Sequence, residues 1–339
     1  MIWGKIISFT TRGAQTAQRI RALMPNDRIE LYARGQDASL KKTNLSRMVQ
    51  QAMVDCSLIV FVGATGIAVR AIAPYLQGKA YDPAVLVVDE NAKFVISLVS
   101  GHLGGANALT QRMADGLGAQ AVITTATDGR GIFAVDTWAK EHRCTVMETG
   151  NIKYVSSALL RGETIGMQSD YPVEGALPYG IHCNSTAEEN GFTVARNTAV
   201  QPFRHTLHLV PRIVHLGVGC RRGTTQETIE HAVHTALEQA NVDFAAVCGV
   251  ASIDVKKDEA GLCTFCAAHG LSFTTYSAEE LMAVQGEFSS SAFVKKTVGA
   301  DNVCERAAVR DAGGKLIASR FALDGVTVAL AEENWRILF

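Results

Sequence analysis

Short apolar runs alternate with helically spaced apolar positions along most of the chain, a rhythm that predicts a parallel or mixed sheet covered by helices. Lys5–Phe9 predicts a strand, and the polar turn Thr10-Thr11-Arg12-Gly13 leads into a helix from Ala14 to about Met24, stopped by Pro25-Asn26-Asp27. Arg28–Tyr32 and Leu58–Val62 predict two more strands, and a helix after Gly63 runs to Ala73, where Pro74 breaks it. Ala84–Val88 and Phe94–Val99 are strands by the same criterion, Gly101–Asn107 turns into a helix over Ala108–Leu117, and Ala121–Thr125 is one more strand. Residues 1–137 therefore predict a doubly wound α/β domain.

From 138 to 211 the pattern weakens. Helical Ile152–Leu160 is followed by Gly162, Gly166, Pro172, Gly175, Pro178 and Gly180 with short apolar pieces between, which predicts a small middle or linker segment. Over 212–339 the alternation returns as a second α/β domain. Ile213–Val218 is a strand, Gly217–Gly223 a turn, and Thr225–Gln239 a helix capped by Thr224 or Thr225. Ala245–Val250 is the next strand. Glu279–Val284 and Ala292–Val298 predict helices, whereas Ala307–Arg310, Lys315–Ala318 and Val326–Ala331 predict strands.

Composition narrows the class of protein. Of 339 residues, 47% are apolar and 19% charged, a globular mix long enough for two or three cores. A net charge of −1 points to no nucleic-acid partner, so any anionic ligand must be met by local groups. No apolar run reaches membrane-spanning length, and Ile6–Phe9 predicts a first strand rather than a signal peptide. Eight cysteines scattered along a long chain are what a reduced cytoplasmic protein carries, not a disulfide framework.

Three strand–glycine turn–helix segments carry the candidate chemistry. The first is Val62-Gly63-Ala64-Thr65-Gly66. The second is Ser100-Gly101-His102-Leu103-Gly104-Gly105-Ala106-Asn107. The third is Gly217-Val218-Gly219-Cys220-Arg221-Arg222-Gly223-Thr224. Such turns bring backbone close to a ligand, and helix starts offer N–H groups to an anion. All three follow strand carboxyl ends, where doubly wound sheets bind ligands. A glycine at such a place also serves the turn alone, and the two readings stand side by side. None of the turns is a phosphate-binding P-loop, because no Gly-Lys-Ser/Thr follows. The third resembles a dinucleotide fingerprint only loosely, with its last glycine interval one residue too long and Asp243 before the next strand.

Among the titratable groups, His102 stands inside a glycine turn and can carry a proton near neutral pH, or it can simply cap the helix. Asp128, at a strand end before Gly129, is either a cap or a site carboxylate. Cys263, Cys266 and His269 lack a second ligand pair at zinc-site spacing, and no protein metal is expected. His231 and His234 fit a solvated helix face. His205, His208 and His215 have no carboxylate near them in sequence.

The three turns, together with Asp82-Pro83-Ala84-Val85, Val87-Val88-Asp89-Glu90 and Ile123-Thr124-Thr125-Ala126-Thr127-Asp128, resemble the cobalt-precorrin-5A hydrolases of anaerobic cobalamin biosynthesis. Leu160-Arg161-Gly162-Glu163 with Ser169-Asp170 is similar to that family's middle region. Asp254–Glu259, Val298-Gly299 and Val303-Cys304-Glu305 resemble its C-terminal domain, while Arg306 and Arg320 depart from the residues usual there. The resemblance covers nearly the whole chain in order. It implies a cobalt-containing, ring-contracted tetrapyrrole substrate whose δ-lactone is opened by water, after which C20 leaves with its methyl as acetaldehyde. Cobalt then arrives within the substrate, and no cofactor is expected.

On that reading His102 and Asp128 are the catalytic candidates, with the Gly104 and Gly105 amides facing the oxyanion. Substrate contacts are expected at Gly63, Thr65, Gly66, Arg70, Gly101, Gly104, Gly105, Asn107, Gly217, Gly219, Arg221, Arg222, Thr224 and Glu305. The arginines suit peripheral carboxylates. A non-catalytic corrinoid carrier, a nucleotide-dependent oxidoreductase, contacts with other cobalamin-pathway enzymes and a homodimer all stay open at this stage.

Overall fold

The computed structural model describes residues 2–33, 44–78, 81–102, 104–125, 132–289 and 299–339. The chain divides into two compact units, Met1–Trp138 and Ala139–Phe339.

In the first unit the chain runs β1 (Trp3–Ser8), α1 (Thr11–Ala22), β2 (Arg28–Ala33), α2 (Leu45–Asp55), β3 (Leu58–Val62), α3 (Thr65–Ile72), β4 (Ala84–Val88), β5 (Phe94–Val99), α4 (Ala106–Leu117), β6 (Gln120–Val122) and the start of α5 (Val135–Glu141). The strands form one sheet in the order β2-β1-β3-β4-β5-β6. Because β3 and β4 are buried on both faces, they are unbroken apolar runs, as sheets covered on both sides require. Alternate residues face opposite layers. Ile6, Val60 and Leu86 pack against Ala17 and Ile20 of α1 and Met113 of α4, whereas Ile7, Phe61 and Val87 pack against Met48, Val49 and Ala52 of α2 and Ala68 of α3. Helix α2 is absent from the sequence-based expectation. Its signals are the cap Asn44, which accepts from the Ser46 N–H, and the helical spacing of Met48, Val49, Ala52 and Met53.

One strand direction matters most for function. β1 to β4 are parallel, but β5 pairs antiparallel with β4, and β6 follows the direction of β5. The Asp89 carboxylate makes the reversal by accepting from Lys93 and Phe94 N–H at 2.7 Å each and from Asn91 N–H at 3.0 Å.

The second unit continues with β7 (Cys144–Val146), α6 (Ile152–Leu160), β8 (Ile165–Ser169), β9 (Val173–Glu174), β10 (Ile181–Cys183), β11 (Asn190–Val194) and β12 (His205–Pro211). The region expected as a small middle or linker segment forms a sheet of its own, ordered β10-β8-β11-β12-β7. Gly166 and Gly191, which resemble turn signals in sequence, face each other in adjacent strands, and the Phe203 ring fills the space over them. A Cβ at either would lie within 2.5 Å of that ring.

The chain ends with β13 (Val214–Cys220), α7 (Gln226–Gln239), β14 (Val247–Ile253), α8 (Ala260–His269), β15 (Ser272–Tyr276), α9 (Ala278–Met282), α10 (Cys304–Ala312), β16 (Lys315–Leu323), β17 (Val326–Glu332) and β18 (Ile337–Leu338). The main sheet here has the order β15-β14-β13-β17-β16, and β18 pairs with β9. α7 and α8 cover one face through Ile229, Val233, Leu262 and Phe265, and α10 lies on the other.

Two expectations need correction. Ala307–Arg310 is helical, as part of α10, because Cys304, Ala307, Ala308 and Ala312 share one buried face at helical spacing. Gly217 and Gly219 lie inside β13, paired with Ala329 and Thr327, rather than in a turn. Ala292–Val298 falls outside the described residues. Among the described residues, no helix is long and apolar enough to cross a membrane.

Gly217 shows what its position demands, since a Cβ there would lie 1.8 Å from the Cys304 carbonyl oxygen, which is backbone and cannot swing aside. Gly217→Ala should force α10 off the sheet and destabilise the protein by about 1–3 kcal/mol or more, the usual range for overpacking. Urea unfolding checks this, and an unchanged midpoint would refute it.

Candidate active site

The antiparallel course of β5 separates two of the three glycine turns. The first turn follows β3 at the carboxyl edge of the parallel strands, where the Gly63 N–H donates to the Val88 carbonyl. The second follows β5, whose last residue, Val99, pairs with Val85 at the start of β4. These edges are a strand length apart, about 15 Å for five residues. Two turns that each follow the carboxyl end of a strand thus lie at opposite edges of this sheet.

At the first edge the strand order reverses direction between β1 and β3, the crevice where doubly wound folds take ligands. Gly63 has a φ of +154° and lies beside the Phe9 ring. Helix α3 begins at Thr65 with no side-chain cap from Ala64. The Arg70 side chain folds back along α3, so that its guanidinium stands 3.5 Å from where a Gly66 Cβ would be. Arg70 itself stands in the last turn of α3 and is exposed, and its guanidinium reaches back beside the helix start, where a carboxylate is favoured.

At the second edge the glycines are used up by close packing. A Cβ on Gly104 would come within 2.3 Å of the Ser100 Cβ, and one on Gly101 within 2.8 Å of Asn107 Oδ1. Gly105 adopts a left-handed φ of 81° as the residue before α4. The turn also satisfies its own amides, with Gly105 N–H donating to the His102 carbonyl, Ala106 N–H to Ser100 and Asn107 N–H to Gly101. The Gly105 amide is thus not available to an oxyanion as expected. Asn107 is 8% exposed, accepts from Ser97 Oγ at 2.7 Å and donates to Thr125 Oγ1 at 3.0 Å, so it knits β5 to the end of the sheet.

His102 is held differently. Its Nδ1 lies 3.3 Å from Asp136 Oδ2, with both side chains largely buried. Asp136 sits in the first turn of α5. Sequence reasoning missed it, because no short motif links an acid at a helix start to a histidine in a distant turn. A carboxylate on one ring nitrogen fixes the tautomer and orientation of the imidazole and favours its charged form as it takes a proton at the other. Asp128 lies outside the described residues.

The third turn is in the second unit. Arg221 and Arg222 are exposed, Gly223 has a φ of 77°, and Thr225, not Thr224, caps α7 by accepting from the Thr228 N–H. Thr224 Oγ1 instead donates to the Arg221 carbonyl at 2.8 Å. The Gly223 N–H donates to Glu259 Oε1 at 2.6 Å, and Lys256 Nζ holds the other oxygen at 2.8 Å. These contacts, led by the Lys256 hydrogen bond and outweighing burial, hold the Glu259 carboxyl below its ordinary pKa. Glu259 is a second residue that sequence reasoning did not single out. Arg221 packs over the Gly325 turn between β16 and β17. Glu305 is 1% exposed, and its carboxylate accepts from Ser289 N–H and Oγ and from the Arg320 N–H. Its carboxylate is thus taken up by hydrogen bonds within the domain.

Two of the three histidines read as lacking carboxylates, His208 and His215, have them from distant segments. His208 Nδ1 lies 2.9 Å from Glu148, and His215 Nδ1 lies 2.7 Å from Asp311. Burial pulls the His215 pKa down, yet its hydrogen bonds to Asp311, Cys248 and Glu333 prevail and raise it to about 10. His205 stacks on Tyr154, and His269 and His234 both approach Glu230. A cavity of about 410 Å³ in the second unit, lined by Gln168, Asp170, Asn184, Arg196 and Asn241 among others, contains none of the expected catalytic or substrate-contact residues, though Ser169-Asp170 of the middle-region motif line it.

Comparison with known proteins joins these features. Residues 47–128, 133–208 and 214–331 match, in order, the families described as Cobalamin synthesis G N-terminal, Cobalamin biosynthesis central region and Cobalamin synthesis G C-terminus. The chain is 32% identical over 338 residues to a cobalt-precorrin-5A hydrolase of Salmonella typhimurium, with 96% of each chain covered. It is 28% identical to one from Priestia megaterium, over 91% of this chain and 88% of that one. A probable cobalt-precorrin-5A hydrolase of Methanocaldococcus jannaschii is 26% identical over 81% of this chain and 85% of its own. With all three segments present in sequence order and full-length relatives on both measures, the chain belongs to the cobalamin synthesis G family of cobalt-precorrin-5A hydrolases.

Proposed function

We propose that this protein hydrolyses cobalt-precorrin-5A, opening the ring A δ-lactone and releasing C20 with its methyl group as acetaldehyde to leave cobalt-precorrin-5B. The observation that carries this reading is the 32% identity to a curated hydrolase across 96% of both chains. The His102–Asp136 pair supplies the acid–base group that such a reaction needs.

In this reading His102 takes a proton from the attacking water while Asp136 steadies the imidazolium, and the same imidazole returns the proton to the departing C20 oxygen. The restored hydroxyl then permits carbon–carbon cleavage. Of the two turn amides expected at the oxyanion, Gly104 keeps that role, since Gly105 is engaged within the turn. Arg221 and Arg222 offer exposed guanidinium groups to carboxylates of the macrocycle, whereas Arg70, at the opposite edge of the first sheet from His102, is left out of this reading. Asp128, as a second carboxylate, is the alternative base. The substrate is a small-molecule cobalt tetrapyrrole whose metal is cargo, so the chain's task is to bind the ring, activate water and move one proton.

Purified protein incubated with cobalt-precorrin-5A should release acetaldehyde stoichiometrically with substrate loss. Binding of the tetrapyrrole without acetaldehyde would favour a carrier instead. His102→Gln, which keeps a polar side chain that cannot titrate, should lower kcat by about 10²–10⁴-fold with KM little changed. Asp136→Asn should lower kcat by less than the loss of the imidazole itself. Near-normal turnover of His102→Gln from pH 6 to 8 would make His102 a structural cap and move the base to Asp128. Arg222→Ala should raise KM and leave kcat nearly intact, because a peripheral carboxylate contact is made alike in ground and transition states. A collapsed kcat at unchanged KM would place Arg222 at the reacting bond.

A further inference from the structure

At the amino edge of the second unit's main sheet, opposite the Arg221–Thr224 turn, four elements converge on one imidazole. His215 stands near the start of β13, Cys248 near the start of β14, Asp311 at the end of α10, and Glu333 just beyond β17. His215 Nε2 lies 3.2 Å from Cys248 Sγ and 3.3 Å from Glu333 Oε1, and one donor atom from each of the three residues falls within 4.8 Å of the others. We propose that His215 Nε2, Cys248 Sγ and Glu333 bind one divalent cation of the zinc type, with water completing a tetrahedral shell.

The geometry suits such an ion. Zinc takes imidazole nitrogen and carboxylate oxygen at about 2.0–2.2 Å and thiolate at about 2.3 Å, so neighbouring tetrahedral donors stand roughly 3.3–3.6 Å apart. The two donor separations measured from Nε2 are close to that spacing before any ion draws the groups in. A nitrogen, a sulfur and one carboxylate oxygen form a donor set that favours zinc over magnesium or calcium, which prefer oxygen alone.

The surrounding residues are those that hold such ligands in place. Asp311 Oδ2 accepts from His215 Nδ1 at 2.7 Å, and its other oxygen accepts from the Tyr276 hydroxyl at 2.7 Å, which fixes the ring with Nε2 toward Cys248 and Glu333. Arg143 holds Glu333 from the solvent side through a paired contact to both carboxylate oxygens. Gly249 lies beside the His215–Asp311 pair, and a Cβ there would meet Ser272 Oγ at 2.6 Å and Asp311 Oδ2 at 3.3 Å. The charges balance, with a thiolate and Glu333 offsetting the cation and Asp311 offsetting Arg143. Glu333 is 24% exposed, so the site opens to solvent on that side.

A Cys–His–Asp nucleophilic triad is the other chemistry these groups suggest. A triad would give Nε2 to the thiol alone, whereas here Glu333 approaches the same nitrogen from another direction. Only an ion uses all three donors. The inference is independent of the proposed hydrolase activity, because neither His102 nor any of the glycine turns takes part.

The test uses the full chain, stripped with a chelator and desalted. Zinc titrated against a chromophoric chelator should bind with one equivalent, and cobalt(II) in its place should give a thiolate charge-transfer band in the near ultraviolet. Cys248→Ser and Glu333→Gln should each weaken zinc by at least about 100-fold, with unchanged circular dichroism, while Cys263→Ser, at an exposed thiol elsewhere, should bind as the parent does. In the unmutated protein, which does not depend on any variant folding, one equivalent of zinc should slow alkylation of Cys248 and leave Cys263 unaffected. Failure to bind zinc, binding undiminished by Glu333→Gln, or alkylation of Cys248 at the same rate with and without zinc would each overturn the proposal.

Discussion

The Asp89 carboxylate collects three backbone N–H groups within five residues, and the Asp89 carbonyl takes a fourth from Ala92, which sits at a left-handed φ of 52°. An aspartate bonding its own following backbone makes a tight turn cheap, and a tight turn permits only an antiparallel return. Everything after Val88 in the first unit inherits that reversal. β5 runs back along β4, β6 follows it, and the helix start after β5 emerges at the edge where β1, β3 and β4 begin. His102 is therefore presented at one edge of the sheet, and Arg70 at the other. The carboxylate thus reinforces a return that the short connection and the left-handed Ala92 already favour.

Much of the fold was legible in the sequence, for a physical reason. Leu58–Val62, Ala84–Val88, Phe94–Val99 and Ile152–Leu160 have the predicted bounds because two fully buried strands, one largely apolar strand and an amphipathic helix leave clear apolar patterns. Strand direction was not read, although the five residues between Val88 and Phe94 are too few for a crossover. The middle sheet escaped notice because Gly166 and Gly191 are strand residues kept small by Phe203, which no local rule distinguishes from turn glycines. Helix α10 escaped because Ala307-Ala308-Val309 is too short a run to separate helix from strand without its neighbours Cys304 and Ala312.

The candidate site divides along the same line. His102 was recognisable because its neighbours in sequence are also its neighbours in space. Asp136, Glu259, Asp311 and Glu333 were not, since each meets its partner only after the chain has folded. Glycines proved the least decisive residues. Gly63 and Gly223 have positive φ at turns, while Gly101, Gly104 and Gly217 are small because backbone or side-chain atoms already fill the space beside them.

The Gly223 loop carries its own anion. Glu259 is tethered to α8 and braced by Lys256, so its carboxylate faces the Gly223 amide at an effective concentration that free ions in solution do not approach. Any carboxylate arriving from outside enters that place by exchange rather than by simple addition. Small monovalent anions gain nothing from such an exchange. A large ligand with several carboxylates can afford it, because its other contacts stay in place while one tethered group gives way. The Gly223 amide is already paired within its own domain, by a carboxylate whose position Lys256 fixes.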